Sequence, residues 1–111
     1  MGAFTAPIMQ GKVEAWKKWA TELKGTRKQE FQDFNKRMGL TSHRAWLQAN
    51  PDGSHLVIIL HEGPGAGEFM AKLATSDHAF DQWFRENVSD AHGIDFSQPP
   101  PGSPAELLVE G

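Results

Sequence analysis

Two histidines, His43 and His61, bracket the stretch RAWLQANPDGSHLVIILHEG (residues 44–63), which reads as two strands folded back around Asn50, Pro51, Asp52 and Gly53. Pro51 at the first central position, Asp52 at the second and Gly53 next favour a type I turn followed by a left-handed glycine. That turn sets His43 opposite His61, Ala45 opposite Ile59 and Leu47 opposite Val57 on one face, and leaves Arg44, Trp46, Ile58 and Leu60 on the other. A two-residue turn of Asp52 and Gly53 alone would instead put Arg44 opposite His61. In the first register the two imidazoles are cross-strand neighbours with Cβ atoms roughly 5 Å apart. Such a pair can share a proton, bind a metal or hold a ligand's oxygen, and imidazole is the side chain whose ordinary pKa suits acid–base work near neutrality. No third ligand stands at a recognisable spacing, so no metal is expected. The plainer alternative makes both histidines polar strand ends.

A second set of polar residues lies on the last helical segment. Asp81 and His92 fall at the margin of its apolar stripe, where a polar group can look into a cavity between helix and sheet. His92, just before Gly93, is equally explained as a cation at a helix C-terminus. Arg44 and Trp46 are expected to line either a ligand cavity or an interface between subunits. Phe80 and Trp83 can serve as a ligand platform, although large rings at helical spacing, with Trp16, Trp19 and Phe31 among them, are more often core. GPGAG at 63–67 looks like a phosphate loop without the Lys-Ser/Thr that would complete it. A connection between strand and helix explains its glycines more simply.

These residues need elements to hold them. AFTAPIM (residues 3–9) reads as a strand with Pro7 near its end. Val13, Trp16, Ala20 and Leu23 then fall at helical spacing opposite Lys17, Lys18, Glu22 and Lys24. Gly25 interrupts this helix. Thr26 and Gln29 have the spacing of a capping box, which predicts a second helical piece through Phe31, Phe34 and Met38 to Gly39. After the hairpin, two helical pieces are separated near Thr75, Ser76 and Asp77, and the second carries Phe80, Trp83, Phe84, Val88 and Ala91 on one side. SQPPPGSP (97–104) reads as an extended connector to AELLVE, a final short strand.

The order strand, helix, strand, strand, helix, strand predicts an α+β protein: one ferredoxin-like domain over 1–111, with a four-stranded antiparallel sheet and both helical layers on one face. LVIIL (56–60) is apolar at successive positions, yet this topology covers only one side of a sheet. A second copy packed sheet against sheet would cover the other, which predicts a homodimer. At this level the chain resembles the dimeric α+β-barrel superfamily, which includes antibiotic-biosynthesis monooxygenases, polyketide cyclases, muconolactone-isomerase-like enzymes and haem-degrading proteins. GKVEAWKKWATEL together with FDQWFRENVSDAHGID is similar to a group of short bacterial proteins. The resemblance implies the fold and carries no catalytic residue, because members of the superfamily use different residues for different chemistry.

Composition narrows the function classes. With 39% apolar residues, four Trp and seven Phe in 111 residues, the chain can build one modest core. A net charge of −3 with interleaved signs supplies no field for phosphate backbones, so nucleic acid is not an expected partner. There is no cysteine, and the apolar runs are too short to span a bilayer. With no signal-like start, a cytoplasmic protein without membrane contact is expected. Two functions compete. One is binding, with conversion of a cyclase, isomerase or monooxygenase type, of a small hydrophobic or aromatic metabolite between sheet and helices, without a bound organic cofactor. The other is a non-catalytic structural or regulatory dimer. A cavity of roughly 300 Å³ or more, lined by rings and two convergent polar groups, favours the first, and a filled interior the second.

Overall fold

The computed structural model describes residues 2–97 and 105–111. The chain runs β1 (Gly2–Pro7), α1 (Val13–Lys24), α2 (Lys28–Arg37), β2 (Ser42–Ala49), β3 (His55–Glu62), a 3-10 turn (Ala66–Glu68), α3 (Phe69–Thr75) and α4 (Ala79–His92). It is an α+β protein whose three strands form an antiparallel sheet in the order β1-β3-β2.

The hairpin has the turn its residues favour. The Gly53 N–H donates to the Asn50 carbonyl at 3.0 Å across Pro51 and Asp52, Gly53 takes φ +88°, and the Asn50 N–H donates to Ser54 O at 2.8 Å. The Asp52 carboxylate accepts from the Ser54 N–H (2.9 Å) and hydroxyl (2.6 Å), bonds that hold its pKa below the usual range. His43 therefore pairs with His61, Ala45 with Ile59 and Leu47 with Val57. The helices cover the face that these residues share. On the opposite face Trp46 and Ile58 stay 47% and 37% exposed.

The helices follow the apolar stripes but begin elsewhere than their capping signals indicate. Thr26 and Gln29 form no capping box: α2 starts after Arg27, without a side-chain cap, and the Gln29 amide donates to Asp33 Oδ1 at 3.0 Å. The cap of α4 is His78, whose Nδ1 accepts from the Phe80 N–H at 3.3 Å, while Ser76 donates its hydroxyl to Asp81 and accepts from the His78 N–H at 3.3 Å. GPGAG is a close-packed crossing. Gly63, at φ +121°, and Gly65 lie against residues 38–41, where a Cβ on Gly65 would strike the Met38 carbonyl, and the Gly65 N–H donates to Gly39 O at 2.9 Å.

The expected fourth strand is absent as a strand. Ala105 makes one antiparallel bridge to Ala3, its N–H donating to the Ala3 carbonyl, and residues 106–111 continue without pairing. Leu107, Leu108 and Val109 are 62%, 79% and 85% exposed, so no buried side chain supports a longer ladder on the β1 edge. Beyond Ser97, the connector expected at 97–104 lies outside the described residues.

Most of the buried core lies among the helices, where Trp19, Phe34, Met38, Phe69, Leu73, Phe80 and Phe84 pack together. Over the sheet the packing opens into a cavity.

Candidate functional site

The cavity holds about 570 Å³ between the inner face of the sheet and the helices. Phe4, Ala6, Ala45, Leu47, Val57 and Ile59 form its floor, and Trp16, Trp19, Phe31, Phe69, Phe84 and Val88 its roof. Strand alternation puts every second residue on the floor, while α1, α2, α3 and α4 supply the rings.

His43 and His61 interrupt this apolar lining. Their rings lie 4.3 Å apart between centroids and nearly perpendicular, at 89°. Phe69 packs on His61 with centroids 4.2 Å apart, Phe4 meets it at 5.2 Å, and Phe31 lies 5.2 Å from His43. His61 is 1% exposed, and neither of its ring nitrogens has a hydrogen-bond partner among the described residues. His43 is tied by Nδ1 to Asn35 Oδ1 at 3.0 Å. The amide oxygen only accepts, so Nδ1 carries the proton and Nε2 keeps a free lone pair. Burial pushes the His43 pKa down to about 3, with the neighbouring His61 adding to the effect, and burial lowers His61 to about 4. Both rings are neutral at pH 7.

The other sequence candidates are distributed around this pair. His92 lines the cavity at its far end, where Nδ1 donates to the Pro7 carbonyl at 2.9 Å. Burial lowers its pKa and the Pro7 bond opposes the shift. Gly2 pairs with His61, and Pro7 lies five residues further along β1, so the anchor of His92 is about 17 Å from the histidine pair. Asp81 is 1% exposed but does not line the cavity. It accepts from the Arg37 guanidinium and from the Ser76 hydroxyl (2.6 Å), tying the start of α4 to the end of α2. Arg44 and Trp46 point to the outer face and border the cavity only as part of the strand that walls it. There Arg44 pairs with Glu62 at 3.1 Å and its guanidinium lies 5.5 Å from the Trp46 ring centre. Phe80 is core, packed on Phe34 and Trp83, while Trp83 stacks under Arg27 at 4.1 Å; neither lines the cavity.

Three contributors escape a reading of the sequence alone: Asn35, Phe4 and Phe69. Asn35 stands four residues after Phe31, hence on the same side of α2, which is the signal that could have placed it beside the hairpin histidines. Among the described residues no three His, Asp or Glu side chains come together as a metal-holding group, and no helix is long and apolar enough to cross a membrane. No protein-family model, curated protein or solved structure matches the chain.

Proposed function

We propose that the protein binds a small hydrophobic, aromatic-type molecule in the cavity between sheet and helices, with His43 and His61 as its polar end. The observation that carries this reading is the ring-lined space of about 570 Å³ itself, with His43 and His61 in its wall. An apolar space of this size, lined by rings with a few polar groups, is the usual setting of a small-molecule site. An interior filled by its own rings would instead favour a purely structural module. Binding and orientation suit the pair better than proton abstraction, because an imidazole with a pKa of about 3 is a weak base at neutral pH. Conversion of the ligand would need a more basic group than His43.

Around this site the finer architecture we propose is ferredoxin-like. The Ala3–Ala105 bridge seats the C-terminal segment on the β1 edge, where a fourth strand of that topology belongs. A second copy covers the outer face, completing a dimeric α+β barrel.

A thermal-shift screen against small aromatic compounds tests the binding reading. A ligand at a hundred times its Kd stabilises the fold by about 2.7 kcal/mol, which for a domain of this size raises Tm by roughly 10 °C. Absence of any shift, together with unchanged Trp fluorescence up to the solubility limit of the compounds, overturns it.

A further inference from the structure

The cavity wall separates what can be buried in it from what must stay at its mouth; this step rests on the binding reading above. Among the described residues no Asp or Glu lines the cavity, although the chain carries 14 acidic residues against 11 basic ones. Burial lowers the pKa values of His43, His61 and His92, so the histidines of the wall are neutral at pH 7.5. Nδ1 of His43 is engaged by Asn35 and Nδ1 of His92 by the Pro7 carbonyl, while the ring nitrogens of His61 and Trp19 are enclosed by their neighbours. A charge carried inside would lose its water with nothing to offset the loss. An ionised group on a ligand therefore has to stop where the cavity meets solvent.

A residue that lines the cavity and is also exposed stands at that boundary. Arg44, Ala45 and Trp46 do so on the edge strand β2, and Lys24 does so in the last turn of α1. The charges at the mouth are thus both cationic. Arg44 turns to the outer face, where it pairs with Glu62. Lys24 makes no ion pair among the described residues, and Glu22, two positions before it, leans on Arg27 at 4.0 Å. A lysine so placed lays its stem along apolar lining and keeps its ammonium in water. Offsetting the C-terminal carbonyls of α1 would explain a lysine in the last turn, but not a lining that has cations and lacks acids. We propose that the cavity takes amphiphilic organic monoanions, with an apolar, ring-bearing body buried among Trp16, Phe31, Phe69 and Phe84 and a carboxylate left at the mouth on the Lys24 ammonium. A carboxyl group with a pKa of about 4 is ionised at physiological pH.

Three probes of similar shape and different charge separate these terms: 2-naphthylacetate, 2-naphthylethanol and 2-naphthylethylammonium, titrated into the full chain by equilibrium dialysis at pH 7.5 and low salt. The expected order is carboxylate, alcohol, ammonium, with the carboxylate bound about fivefold more tightly than the alcohol, the scale of one solvent-exposed ion pair. Raising the salt to about 1 M, where charges are screened beyond roughly 3 Å, removes most of that margin. In Lys24→Glu the carboxylate and the ammonium exchange places while the alcohol is held as before. Lys18→Glu, at an exposed cation of α1 outside the lining, keeps the wild-type order. Alcohol matching carboxylate in the wild-type protein, or ammonium exceeding it, overturns the anionic head and leaves the binding reading standing. A carboxylate preference that survives Lys24→Glu overturns the seat at Lys24 and reduces that lysine to a helix-terminal charge. If none of the three binds, both the inference and the binding reading fall. Should Lys24→Glu not fold by circular dichroism, the wild-type order and its loss in salt decide.

Discussion

At the scale of single residues, the buried histidines make stability depend on pH in a definite direction. Both have folded pKa values, about 3 for His43 and about 4 for His61, below the 6.5 of the unfolded chain. Between those limits the unfolded chain binds protons that the folded one refuses. Their contribution is complete above pH 6.5 and is lost progressively as the pH falls toward 4. Each histidine that gains a proton only on unfolding costs about 1.4 kcal/mol per pH unit in that window. Urea midpoints followed from pH 7 to pH 4 are expected to fall, and His61→Leu to fall less steeply by about that slope. The carboxylates with lowered pKa values, Asp52 and Asp95, act below this range. Equal slopes in the two proteins would mean that His61 is hydrated rather than buried. The pairing of the two histidines was legible in the sequence because Pro51, Asp52 and Gly53 fix it locally. The role of Asn35 was not, because its i+4 spacing from Phe31 places it on one side of α2 without saying that this side meets the hairpin, a contact made only in the packed fold.

At the scale of elements, the hydrophobic stripes located α1, α2 and α4, and what they left open was how the helices are fastened together. Asp81 reads as a cavity residue on a helical projection, yet its partner Arg37 stands 44 residues away, at the end of α2. No local pattern encodes that pairing. The fourth strand was misread for a related reason: AELLVE has strand-forming residues, but in one chain it finds only the Ala3 bridge and no layer against which to bury them. The Arg37–Asp81 link lends itself to measurement against a surface pair. The Asp81 side chain is 2% exposed, so Arg37→Met leaves a carboxylate buried with the Ser76 hydroxyl and, at 4.0 Å, the His78 imidazole beside it, at an expected cost of about 3 kcal/mol. Arg44→Met breaks an ion pair whose two side chains are about half exposed, and is expected to change stability by less than about 1 kcal/mol. Chemical denaturation of both variants checks the ranking. The double variant Arg37→Met with Asp81→Asn should recover part of the loss, since the stranded charge is gone. If Arg37→Met is as mild as Arg44→Met, the pair does not fasten α4 to α2.

At the scale of the whole molecule, β3 is apolar on both faces, and the single chain accounts for only one of them. Val57, Ile59 and His61 face the cavity, whereas Ile58 and Leu60 face outward, with Trp46 directly opposite Ile58 on β2. Sheets packed face to face lie about 10 Å apart and exclude water from such side chains, and a two-fold axis would set this patch against its own copy. The exposed Leu107, Leu108 and Val109 also lack cover in one chain. Substitution at two adjacent residues separates the faces. Ile59→Asp buries an unpaired charge against the cavity and should destabilise the fold and abolish ligand binding whatever the oligomeric state. Ile58→Asp places its charge where the single chain is already 37% open to water. It should leave the circular dichroism spectrum unchanged while light scattering at micromolar concentration falls from twice the chain mass to 12.3 kDa. A wild-type protein that already scatters at 12.3 kDa overturns the dimer. A dimer that survives Ile58→Asp moves the interface away from this face of the sheet.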